Sequence, residues 1–125
     1  MSATRFALVL RPDASFKVIE FAGDSPADLA ALYSEINSPN IAVMDLSPRL
    51  SVWLDDDGIT GGSPNRPATV IHAATVLVHH DYYGTAVYTG TDAQNRTTGL
   101  TLDNCAALLE LAGIDFPEIP QPRTN

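Results

Sequence analysis

The sequence predicts an α+β domain: an antiparallel or mixed sheet of about five strands with two or three helices packed on one face, in the order ββαββ(α)βα. Two pairs of short β-prone runs are each split by a proline-containing turn, which is the pattern of hairpins. Two further segments place a capping side chain directly ahead of an apolar stripe at helical spacing. The chain has 125 residues, enough for one core without metal or disulfide staples. A single domain is expected over residues 1–116, followed by a Pro-rich, mobile tail over 117–125 that carries three prolines between Pro117 and Pro122.

The first pair is Arg5-Phe6-Ala7-Leu8-Val9-Leu10 and Phe16-Lys17-Val18-Ile19-Glu20-Phe21, joined across Arg11-Pro12-Asp13-Ala14-Ser15. In the second run neither alternate face is cleanly apolar, so the inward face is undecided. A helix is expected from Ser25, which caps, with Pro26 in the first turn and Asp28 in a capping-box position. Leu29, Leu32, Tyr33 and Ile36 then form one stripe, and Asn37-Ser38-Pro39-Asn40 ends it.

Ile41 to Leu46 and Leu50 to Leu54 read as a second strand pair around Ser47-Pro48-Arg49. Leu50, Val52 and Leu54 share one face, which turns Trp53 to the other, where a large ring packs beneath a helix. The turn Asp55-Asp56-Asp57-Gly58 lacks the alternating oxygen ligands and closing Glu of a calcium loop. Next comes the glycine and proline loop from Gly61 to Thr69. After it, residues 68–80 admit two readings. With Asn65 as cap and Pro67 near the start they form a helix whose face is Ala68, Ile71, Ala74, Thr75 and Val78. Alternatively the β-branched run Thr75 to Val78 is a strand; the helix is favoured, because the loop before it is so cap-like. Gly84 to Gly90 is a strand and Thr91 to Arg96 a polar turn. Thr101 caps the last helix, Leu100 and Cys105 staple it, Leu108, Leu109 and Ala112 continue its stripe, and Gly113 stops it.

Composition removes several classes of function. With 7 basic against 15 acidic residues the net charge is −8, and Lys17 is the only lysine. No basic stripe exists to meet a nucleic-acid backbone, so nucleic acid is not an expected partner. An acidic surface serves solubility; a DNA-mimicking inhibitor is a lesser option. No run is long and apolar enough for a membrane span, and no secretory signal is visible, so a cytoplasmic location is expected. Cys105 stands alone and cannot form an intrachain disulfide.

Chemistry-bearing residues are few. In His79-His80-Asp81 the adjacent imidazoles diverge on either a helix or a strand, so they do not share one ion, and no metal or other cofactor is expected. No nucleophile elbow or phosphate loop is present, and the carboxylates form no recognisable acid/base pair. What remains is Asn65-Arg66 with Thr69. The structural reading is a helix cap beside a surface salt bridge; the functional reading is a pocket in which Asn65, Arg66 and Thr69 hold an anionic metabolite or nucleotide at a helix start.

The Pro-Asn-Arg loop after two strands, the Gly-flanked strand Gly84 to Gly90, the polar turn and the Leu-rich last helix together resemble the family catalogued as domain of unknown function 3846. The resemblance implies a small cytoplasmic protein carried by phages, actinobacteria and other bacteria, with no catalytic residue to carry over. The leading expectation is therefore a non-enzymatic accessory protein, phage-encoded, that binds a host protein as monomer or homodimer. The alternative is the anionic-ligand binder just described, and an unrecognised enzyme comes third.

Overall fold

The structure, a computed structural model, describes residues 5–23, 25–56 and 62–114. The expected turn at Asp57-Gly58, the start of the glycine loop at Gly61 and the tail over 117–125 lie outside the described residues. The elements are β1 (Phe6–Leu10), β2 (Phe16–Glu20), α1 (Pro26–Ile36), β3 (Ile41–Ser47), β4 (Leu50–Asp55), α2 (Arg66–Thr75), β5 (Ala86–Thr91), β6 (Thr97–Thr98) and α3 (Leu102–Leu111). The α+β class is as the sequence predicts, with a sixth, two-residue strand in the polar segment before the last helix.

Each expected hairpin forms. β1 pairs β2 with Leu8 opposite Val18, and β3 pairs β4 with Val43 opposite Trp53. β5 then enters between the two hairpins, with Tyr88 opposite Leu8 on one side and Val52 on the other, giving the order β2-β1-β5-β4-β3 with every pairing antiparallel. β6 folds back on β5 and its extension brings Leu100 opposite Phe6, wedging β1 away from the end of β5. That wedge is tight: a Cβ on Gly99 would collide with the Phe21 carbonyl oxygen, so only glycine lets the strands approach.

One expectation is overturned. The helices do not share a face: α1 covers one side of the sheet, and α2 with α3 cover the other. Ala7, Val9 and Val87 pack with Leu32 and Ile36 of α1, while Leu8, Leu10 and Tyr88 pack with Ile71 of α2 and with Cys105, Leu108 and Leu109 of α3. The cause is written in β1, whose five residues are all apolar and all buried. A strand apolar on both faces has to be covered on both. Trp53 packs on the α1 side, and its indole N–H donates to the Thr89 hydroxyl at 2.9 Å.

Caps behave as local chemistry dictates. Ser25 accepts from the Asp28 N–H and Thr101 from the Asn104 N–H. Asn37 closes α1 in the left-handed region at φ 60°, and Gly113 follows α3 at φ 74°. The Asp28 carboxylate reaches back past the cap to the Gly23 N–H at 2.8 Å. The α1 stripe is narrower than its spacing suggests, because Leu32 and Ile36 are buried while Leu29 and Tyr33 stay largely exposed.

Residues 66–75 are the helix, not a strand, but its phase and length correct the expected face. Ala68 and Ile71 are buried as expected, together with Pro67 and His72, whereas Ala74 and Thr75 face solvent. Val76 takes extended angles, φ −131° and ψ 140°, so Val78 lies beyond the helix. The β-branched run that argued for a strand forms none: it leaves the helix at Val76 and passes into a bend at Leu77 and Val78.

Candidate functional site

Asn65 is fully buried and every polar group of its side chain is engaged. Its Oδ1 accepts the Ala68 N–H at 3.1 Å, capping α2. Its amide nitrogen donates to the Leu10 carbonyl at 3.0 Å and to the Gly84 carbonyl at 2.8 Å. Its backbone N–H donates to the Tyr82 carbonyl and Gly84 N–H to the Ser63 carbonyl, both at 2.7 Å. The loop is thereby stitched to the end of β1 and to the segment leading into β5.

Thr69 is likewise occupied. Its hydroxyl donates to the Asn65 carbonyl and accepts the Tyr82 N–H, each at 3.0 Å. Arg66 is exposed, and among the described residues its guanidinium makes no ion pair. The structure brings all three to one open depression of about 370 Å³ with Asp81 and Tyr83 on its wall. Of the three, only the Arg66 side chain has donors not already committed to the fold; the Asn65 amide and Thr69 hydroxyl act as brackets between α2 and the return strand.

The return segment holds a cluster that spacing alone did not reveal. His72 is buried on α2, its Nε2 lies 2.9 Å from the Val78 carbonyl and its Nδ1 2.9 Å from the Tyr82 hydroxyl. A carbonyl can only accept, so Nε2 carries a proton; in the neutral ring Nδ1 then accepts the Tyr82 O–H. The Tyr82 hydroxyl also sits 3.8 Å from the Met44 sulfur, and the His80 ring stands edge-on to the Tyr82 ring at 5.1 Å. Burial pushes the Tyr82 phenol up to about 12 and the Tyr88 phenol well above its usual value. These phenols are packing groups at neutral pH. His79 turns outward to pair with Asp81 at 2.7 Å, so His79 and His80 diverge as adjacent residues must. Among the described residues no group of three His, Cys, Asp or Glu side chains is placed to hold a metal ion.

Cys105 is buried in the α3 core, and desolvation pushes its thiol up to about 11, the opposite of an activated nucleophile. Ser51, Thr91 and Asp45 form a short chain of hydroxyl and carboxylate contacts at 2.8 and 2.9 Å that satisfies buried groups. Neither arrangement presents an accessible nucleophile, since Cys105 and Ser51 are both buried.

The surface is more informative. Leu77 is fully exposed and Val78 is 73 % exposed, at the bend that follows α2. Their backbone is fixed by Val76 N–H to the His72 carbonyl at 2.8 Å and by the His72 ring on the Val78 carbonyl. The solvent side of α2 that leads to this tip, Val70, Ala73 and Ala74, carries no charge beyond Arg66. A groove of about 200 Å³ lies against β3, with His80 and Asp81 on its wall. The sequence puts Leu77 in the strand alternative and Val78 in that strand or on the helix face, because alternation and periodicity both assume burial; neither pattern marks an apolar pair that folding leaves in water.

The chain matches no curated protein and no solved structure in these comparisons. A family model does match, over residues 4–113, and its description is Domain of unknown function (DUF3846). Covering nearly the whole domain, including both hairpins, the Asn65 loop and the Thr101-capped helix, that match places the chain in the DUF3846 family.

Proposed function

We propose that this protein is a non-enzymatic accessory protein, phage-encoded, that acts by binding a protein of its host cell. The observation that carries the reading is the Leu77-Val78 tip: two consecutive apolar side chains in solvent on a backbone anchored by buried His72. Single exposed apolar residues are ordinary, but an anchored pair continuous with the uncharged face of α2 is a preorganised contact. Binding through it orders little that is not already ordered. No nucleophile, base and oxyanion donors converge among the described residues, and the polar atoms of the Asn65 loop are spent on the fold.

The test is capture of partners from host lysate by the tagged protein, followed by titration of the purified partner. Leu77→Asp combined with Val78→Asp should weaken that partner at least a hundredfold while leaving the melting temperature within about 2 °C, because both side chains are already in solvent. A partner bound equally by the double variant and the parent would refute the reading.

A further inference from the structure

We propose that the free edge of β3 and the groove beside it receive an extended basic segment of the partner, added as a further strand with an Arg or Lys side chain in the groove. This rests on the reading of the protein as a protein binder and names the chemistry of what it binds.

Among the described residues β3 pairs only with β4, and no other described strand lies along its second edge. The opposite edge, β2, is defended by Lys17, which pairs Glu35 at 2.7 Å, and by exposed Glu20. On β3 a register shift between Asp45 and Ser47 breaks the ladder and leaves Ile41 to Asp45 as the regular stretch. Ala42, Val43 and Met44 all line the groove. Their side chains alternate between the two faces of the sheet, so three in a row can border one cavity only where the strand's own edge forms its wall.

The groove selects its occupant. Met44 and Leu54 line it from one face of the sheet, with Asp56 and Asp81 beside them. Asp81 accepts from His79 at 2.7 Å, which orders it there. Asp55, next to Leu54 on β4, turns to the other face, where it accepts from Ser38 at 3.0 Å. An apolar slot closed by carboxylates fits a long aliphatic stem ending in a cation: the stem lies on Met44 and Leu54, and the head meets the acids. On the other face of the same edge Val43, 50 % exposed, stands opposite Trp53. An added strand alternates its side chains in the same way, so the segment read here alternates basic with apolar residues. The protein as a whole, at −8, favours the approach of such a segment and repels an acidic one.

The probe is a fluorescein-labelled peptide, Val-Arg-Val-Arg-Val-Arg, titrated with the full chain by fluorescence anisotropy at physiological salt. Binding at least tenfold tighter than to the Val-Glu counterpart is expected. Asp56→Asn with Asp81→Asn should weaken the arginine peptide tenfold or more, whereas Asp103→Asn with Glu110→Gln, on exposed positions of α3, removes the same charge and should leave it unchanged. A peptide N-methylated at every residue can donate to no ladder through either edge and should lose binding tenfold or more. Equal weakening by the α3 pair, or undiminished binding of the N-methylated peptide, overturns strand addition in favour of unspecific attraction. No binding of the arginine peptide also overturns it; if capture of a partner still depends on Leu77 and Val78, the function proposed above stands without it.

Discussion

Asn65 carries more of the fold than any other polar side chain in the loop. Its amide closes α2 at one end and holds the backbone of Leu10 and Gly84 at the other, 55 and 19 residues away in sequence. Asn65→Ala should cost about 3–5 kcal/mol in chemical denaturation, since it strands one donor and two acceptors in a fully buried place. Asn65→Asp should cost at least as much, because a carboxylate keeps the cap but sets negative oxygens against two carbonyls. Arg66→Ala, by contrast, should change stability by less than about 0.5 kcal/mol, its side chain being exposed. The cap at Asn65 was legible because it is a contact of three residues' span; the two carbonyls it anchors were not, since no local pattern encodes a partner on a distant strand. His72 was unreadable for the same reason. Its partners Val78 and Tyr82 become neighbours only when the chain turns back along α2.

At the level of elements, the capped helices were the most readable parts, and Ser25→Ala and Thr101→Ala should each lower stability by about 1 kcal/mol in urea titrations. Both hairpins were readable as turn chemistry between β-prone runs. Their arrangement was not: β5 separates them in the sheet, and nothing in Gly84 to Gly90 states that it lies between β1 and β4. The distribution of helices over both faces was foreshadowed by the unbroken apolar run Phe6 to Leu10, which alternation-based reasoning assigns to a half-buried strand. The end of α2 at Thr75 separates a helix that serves the core from a bend that serves the surface, and the Leu77-Val78 tip exists because the helix stops there.

Across the whole molecule, charge and core make separate demands. Among the described residues no Asp or Glu is buried, and the helical layers on the two faces of the sheet hold an apolar interior. Alkaline pH reaches that interior. Tyr82 near 12 and Cys105 near 11 are raised above ordinary values near 10 and 9, and Tyr88 is also raised well above its ordinary value, each by burial. A raised folded value means the stability is complete below the unfolded values and is lost as pH climbs through the window from about 9 to 12, with Tyr82 alone worth about 2–3 kcal/mol at its top. Denaturation midpoints measured from pH 8 to 12 should therefore fall steadily above pH 9; a flat profile would contradict the packing described for these side chains.

The loop around Asn65 builds the fold, and the Leu77-Val78 tip and the β3 edge are the surfaces proposed to meet a partner. Hydrogen–deuterium exchange of the protein with and without a captured partner separates the two roles. New protection is expected over residues 76–81 and 41–44, with residues 62–69 unchanged. Protection confined to 62–69, with the tip and edge exchanging as in the free protein, would contradict that assignment.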